Sequence, residues 1–204
     1  MLDVEVFRVR PGTAAAEAEP LLAVGADLGA RFLLTAVEDP EPDRRAGVFA
    51  DLGALARAHG LRCVVETMVF SQVRTPAEAL ALLEAAGVDD AGVLVDALHL
   101  ARAGAVPADL AALGPARLPY VQLCDAASAA PAARDADGLR AAVAEAVAHR
   151  LAPGEGVLPL AEVLRHCPPT APISLEVPHP AARTDPAGWI GHLAAATRRL
   201  LSVP

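Results

Sequence analysis

The chain has 204 residues and a mass of 20.9 kDa, enough for one large domain or two small ones and for a sizeable buried core. Seventeen basic residues face 25 acidic ones, so the net charge is −8, and an acidic surface repels phosphate backbones. Hydrophobic residues make up 54% and the mean hydropathy is +0.38, but much of this is alanine, and no apolar run reaches the ~18–20 residues that span a bilayer.

All 17 basic residues are Arg, and the chain contains neither Lys nor Asn. Schiff-base aldolases, pyridoxal-phosphate enzymes and P-loop nucleotidases each need a particular Lys, so all three are excluded. The N-terminal MLDVEVFRVRPG carries charges where an export signal would be apolar. Cys63, Cys124 and Cys167 are odd in number and far apart, which suits a reducing compartment rather than a disulfide framework or a zinc site. The expected location is the cytoplasm, with neither a membrane nor a nucleic acid as partner.

Short apolar runs alternate with Ala/Leu-rich amphipathic stretches along the chain. Strands are predicted at 2–9, 31–37, 61–67, 91–97, 118–125 and 172–177, and helical stretches at 13–28, 44–59, 76–86, 107–113, 137–149, 158–166 and 186–201. Thr75-Pro76 with Glu78 reads as a helix start and Gly60 as a helix stop. Repeats of ~30 residues match βα units and hence a parallel sheet with helices outside. Two closures fit this pattern, a doubly wound open sheet and a (β/α)8 barrel. No GxGxxG follows the first strand, and no compositional break divides the chain, which is read as one domain over 1–204. The Ala/Pro/Asp-rich segment 126–137 reads as a long loop on the functional face.

Acidic residues sit where apolar strands end. Glu66 closes VVE, Asp96 closes VLVD and Glu176 closes ISLE, while Asp3 and Glu5 lie in the first run. In a parallel barrel the strand C-termini share one face, so these carboxylates converge. Clustered buried anions call for a cation, and an oxygen-rich donor set suits Mg²⁺ or Mn²⁺. Any single acidic strand end also fits a helix N-cap or a surface position. Gln122, at the equivalent place in YVQLCD, is either a neutral fourth ligand or a hydrogen-bonded core residue, and Asp125 reads as a cap or loop acceptor. His99 and Arg102 follow Asp96 at intervals of three, which puts them on one face of a helix starting there. His99 is then placed to hydrogen-bond a substrate hydroxyl and Arg102 to hold an anionic or polyhydroxy end; both also fit structural roles. Arg150, ahead of Pro153-Gly154-Glu155-Gly156, reads as part of a loop that closes over substrate.

VVETM, VLVDALHLARAG, YVQLCDA, RLAPGEGVLPL and ISLEVP, in this order and spacing, resemble the xylose-isomerase-like TIM-barrel superfamily, most of all its sugar phosphate isomerase/epimerase branch. The resemblance covers essentially the whole chain. It implies a (β/α)8 barrel with one divalent metal, Mn²⁺ or Mg²⁺, at the strand C-termini. Glu66 and Glu176 would be ligands as well as the acid/base pair, Asp96 a ligand, and His99 a substrate contact. The implied activity is isomerisation or epimerisation of a sugar, sugar phosphate or keto-polyol, by proton transfer next to a carbonyl through a metal-stabilised enediolate. A keto-polyol dehydratase of the same superfamily and a degenerate barrel that binds without turnover are the alternatives. An abasic-site endonuclease is disfavoured by His-poor strand ends and by the acidic charge. Two departures stand out. Gln122 replaces a His that many relatives use as a ligand, and DVEVF resembles the family's third strand, so about two βα units are missing at the N-terminus. A reading frame that starts upstream of Met1 would supply them; a homodimer is the other way of covering the gap.

Overall fold

A computed structural model describes residues 1–202. All six expected strands form: β1 (Asp3–Val9), β2 (Phe32–Val37), β3 (Arg62–Glu66), β4 (Gly92–Asp96), β5 (Val121–Leu123) and β6 (Ile173–Leu175). Every pairing is parallel, and the strands lie in the order in which they occur in the chain. A doubly wound sheet reverses its order at a switch point; none occurs here, so the sheet winds one way, as a barrel does.

The curl is visible in side chains. The rings of Phe32 on β2 and Tyr120 just before β5 stack with centroids 5.0 Å apart. In a flat sheet, strands three places apart would be separated by ~14 Å. Phe32, Leu34, Val64, Leu94 and Tyr120 fill the concave side, with Leu2 and Val6 against them. Leu33, Cys63, Val65, Val93, Val95, Val121 and Leu123 point the other way, into the layer shared with the helices. Side chains alternate along a strand, so the parity that turns Val64, Leu94 and Tyr120 inward also turns Glu66, Asp96 and Gln122 inward, two residues later. The result is a six-stranded half-barrel in which β1 and β6 each pair with one strand.

The helices are α1 (Glu19–Asp27), α2 (Pro42–Ala58), α3 (Pro76–Ala86), α4 (Ala97–Arg102), α5 (Ala136–Ala148), α6 (Leu160–His166), α7 (Ala181–Thr184) and α8 (Pro186–Leu201). At the start of α3, the Glu78 amide donates to Thr75 Oγ1 at 3.2 Å and the Thr75 amide to Glu78 Oε2 at 3.1 Å, a reciprocal cap. Gly60 takes φ +77° after α2, as its position after Ala58-His59 predicts. Two expected helices differ. The stretch 13–28 divides into a 3-10 turn (Ala15–Ala18) and α1, and 107–113 is a 3-10 turn (Pro107–Ala112). The latter lies between Pro107 and Gly114-Pro115, which bound it on both sides. Among the described residues no helix is long and apolar enough to cross a membrane.

Gly92 opens β4 beneath Pro119. A Cβ here would lie 2.8 Å from Pro119 Cγ and 3.0 Å from Val64 Cγ1. Gly92→Ala should therefore destabilise the protein by ~1–3 kcal/mol, read as a lower urea midpoint. An unchanged midpoint would show that the concave side has room to spare.

Candidate metal centre

The strand ends deliver their acids to one place because of the parity described above. Asp96 ends β4 and is fully buried, and its register partner on β5 is Gln122. Glu66 ends β3 and is also buried. Glu176 follows β6 and is the most open, with 35% of its side chain exposed. Asp96 has two duties. Its Oδ1 accepts from the His99 amide at 2.9 Å, capping α4, and its Oδ2 accepts from Arg150 Nη1 at 2.5 Å. The N-cap and site readings of Asp96 are thus both true of the same side chain.

Capping α4 places His99 in its first turn, with the imidazole inside the site. Its Nε2 lies 3.7 Å from Glu66 Oε1, and the edge of the Phe70 ring packs against it. Glu66, Asp96 and His99 each offer a donor atom, and the three atoms lie within 4.8 Å of one another. His99, expected as a substrate contact, lines the cavity beside both carboxylates, where its imidazole could serve either a substrate or a metal ion. Glu176 approaches this group through Arg150, whose Nη2 is 3.3 Å from Glu176 Oε1.

The electrostatics divide the acids. Burial pushes the Glu66 carboxyl well above the ordinary range, and the charges of Asp96 and Glu176 push it further. Burial likewise raises Glu176 to about 7 against the opposing pull of Arg150, with Asp96 adding to the rise. For Asp96, burial acts upward too, but Arg150 and the cap hydrogen bond outweigh it and hold the carboxyl below the ordinary value. Burial lowers His99 to about 4, so at neutral pH the imidazole is uncharged and its contact with Glu66 is not an ion pair. An uncharged imidazole is the form that ligates a metal.

Of the three acids, Asp96 and Glu176 contact the Arg150 guanidinium, and Glu66 lies beside His99. Gln122 Oε1 and Glu176 Oε2 are buried and accept no hydrogen bond among the described residues. Acceptors left over beside excess negative charge fit a divalent cation. Glu66, Asp96 and His99 form the close group, a possible triad for a metal ion.

Two arginines singled out in the sequence have protein partners of their own. Arg102 does not face the site. Its guanidinium grips both oxygens of Glu145 on α5, at 2.6 and 2.7 Å, and the carbonyls of Ser128 and Ala130, so it clamps the long loop instead of a substrate. Arg150 is at the site and buried, and its Nε donates to the Ala146 carbonyl at 2.8 Å while Nη1 also reaches the Glu176 carbonyl at 3.1 Å. Asp125 fixes the loop after Arg150, accepting from the amides of Ala126, Gly154 and Leu158 at 2.8–3.0 Å. A Cβ on Gly156 would lie 2.4 Å from Asp125 Oδ1, so this loop needs glycine there.

A cavity of about 360 Å³ opens onto the group. It is lined by Glu66, His99, Arg150 and Glu176 and, on its other walls, by Glu5, Arg8, Met68, Phe70 and Val147. Glu5 adds a further carboxyl whose own proton affinity is raised by burial and by Asp3. The sequence marks Glu5 as an acid in a strand. It gives no signal for Phe70 or Val147, because an apolar residue in a loop or on a helix face looks the same whether it lines a core or a pocket.

Comparison with known proteins places this geometry in context. No curated protein matches. Among solved structures, a xylose isomerase domain containing protein from Salmonella typhimurium LT2 superposes with a TM-score of 0.78 at 17% identity, over 98% of this chain and 75% of that one. The IolI protein with a bound zinc atom gives 0.76 at 16% identity, over 92% and 68%. A D-psicose 3-epimerase solved with D-fructose gives 0.60 at 18% identity, over 80% and 55%. At these identities the likeness is one of fold, and the chain spans between about half and three quarters of the length of these three structures. The family model described as xylose isomerase-like TIM barrel matches residues 10–200, and the chain belongs to that family.

Proposed function

We propose that the protein is a metal-dependent isomerase or epimerase of a sugar, sugar phosphate or keto-polyol, moving a proton at a carbon next to a carbonyl. The observation that carries this reading is a pair of carboxyls, Glu66 and Glu176, with raised proton affinity on different strand ends of one cavity beside uncharged His99. A divalent cation held by Glu66, Asp96 and His99, with oxygens from Gln122 and Glu176, supplies Lewis-acid polarisation of the carbonyl. The chain's own residues do the rest. One of Glu66 and Glu176 takes the proton from carbon, and the other returns one to the opposite face of that carbon or to a neighbouring atom. A carboxyl that titrates near neutrality is available both as acid and as base. The apolar wall of Met68, Phe70 and Val147 limits the water around the acids.

A second reading, a barrel that binds without turnover, draws on the guanidinium lodged between Asp96 and Glu176. Incubating Mn²⁺-loaded protein with a panel of ketoses and keto-polyols in D₂O separates the readings. Deuterium entering a carbon-bound position next to the carbonyl marks the isomerase or epimerase, loss of water marks a dehydratase, and binding without exchange marks the non-catalytic barrel.

Glu66→Gln and Glu176→Gln should each lower kcat by ~10²–10⁴-fold with circular dichroism unchanged; full activity in either variant removes that residue from the acid/base pair. The raised proton affinity of Glu176 has a stability consequence. Its folded value of about 7 exceeds the ordinary 4.5, so the stabilisation it gives at low pH is lost as pH rises through about 7. Gln mimics the protonated form throughout. Without metal, the melting temperature of Glu176→Gln should therefore gain on that of the wild type between about pH 5 and about pH 8; a constant difference would mean that Glu176 titrates as an ordinary exposed acid.

A further inference from the structure

Arg150 is a cation lodged among the acids of the site. Its side chain is 1% exposed, and it is bound from four directions: Asp96 Oδ2 at 2.5 Å, Glu176 Oε1 at 3.3 Å, the Glu176 carbonyl at 3.1 Å and the Ala146 carbonyl at 2.8 Å. Its Nε and Nη1 are committed to Ala146, Asp96 and the Glu176 carbonyl, and Nη2 faces the Glu176 carboxylate. The guanidinium also falls short of balancing its surroundings, because Glu66, Asp96 and Glu176 carry three potential negative charges against its one. Gln122 Oε1 and Glu176 Oε2 are left accepting from nothing among the described residues.

We propose that Arg150 is a resident cation: it holds Asp96 and Glu176 in place when no divalent ion is bound, and it opposes that ion for the same carboxylates. The proposal rests on the reading of Glu66, Asp96, His99, Gln122 and Glu176 as a divalent-cation site. Two outcomes are open to Arg150 when a metal arrives, and both lower affinity. If the guanidinium withdraws, its bonds to Asp96, Glu176 and two carbonyls are lost in a buried setting. If it stays, a positive charge remains beside a doubly positive one in a medium that screens poorly. In exchange, the metal-free protein keeps its acids apart and its strand ends assembled. Affinity for metal is thereby lowered without loss of the fold, and occupancy of the site follows the supply of metal. The geometry around the guanidinium reinforces this role, since Nε is anchored on α5 through Ala146 and the following loop is pinned by Asp125.

The test is calorimetric titration of Mn²⁺ into metal-free wild type, Arg150→Met and Arg150→Lys, with thermal melts of each protein before and after saturation. Met keeps the length of the side chain without its charge; Lys keeps a charge but loses the planar fork. Arg150→Met should melt lower than wild type without metal, bind Mn²⁺ about tenfold tighter or more, and gain more melting temperature on saturation. Arg150→Lys should fall between the two, and it carries the comparison if the Met variant does not fold. Uptake by a variant where the wild type takes up none supports the proposal in its strongest form. Wild type that binds one Mn²⁺ with variants that bind no tighter overturns it and leaves the metal site standing. Failure of all three proteins to bind overturns the metal site and the proposal together.

Discussion

A carboxylate removed from water must find a cation, a set of donors or a proton. At Asp96 it finds the first two. The side chain is fully buried at the end of β4, accepts from the His99 amide, and lies 2.5 Å from Arg150. Stripping an ion of water costs several kcal/mol, and an opposite charge at contact returns ~4 kcal/mol at an intermediate effective dielectric. The pair therefore persists only while its remaining hydrogen bonds are made. Those bonds reach α4, α5 and the end of β6. One ion pair thus ties together the strand ends and helices that form the site.

The same pair accounts for the unequal behaviour of three chemically similar groups. Asp96, next to the guanidinium, keeps its charge. Glu66 is just as enclosed but has an uncharged imidazole and a phenyl ring nearby instead of a full positive charge, so it retains its proton more tightly. Glu176, partly open to solvent and only 3.3 Å from Arg150, falls between them. Pairs of acids whose surroundings drive their titrations apart are a recurring basis for acid/base division of labour. Here the division follows from which strand end the arginine reaches.

Around this centre, ordinary structural devices hold the walls. Arg102 and Glu145 bind α4 to α5 and fasten the loop after β5, while Asp125 accepts from its neighbour Ala126 and from two amides, Gly154 and Leu158, of the segment that follows Arg150. These side chains differ little in type from those at the centre. What distinguishes them is where their partners come from. Arg102 is satisfied by a helix and a loop on the outside of the sheet, so nothing of it is left over for the cavity.

The sequence by itself determined the six strands, their parallel βα order and the placing of Glu66, Asp96 and Gln122 at equivalent strand ends. Buried strands must be apolar and must alternate, and an acid that breaks an apolar run is conspicuous for that reason. It also marked the start of α3, because Thr75, Pro76 and Glu78 act over a few residues. Only the tertiary structure decided what Arg102 and Arg150 do. Both are arginines near helix ends, and whether such a residue meets Glu145 or Asp96 depends on partners 43 or 54 positions away in the chain. The surroundings of His99 were decided in the same way. Its spacing from Asp96 put it on the right helix face, but only the fold brings its ring nitrogen within 3.7 Å of Glu66, 33 residues earlier on the neighbouring strand. Local periodicity specifies which way a side chain points; charge compensation depends on what the fold brings opposite it.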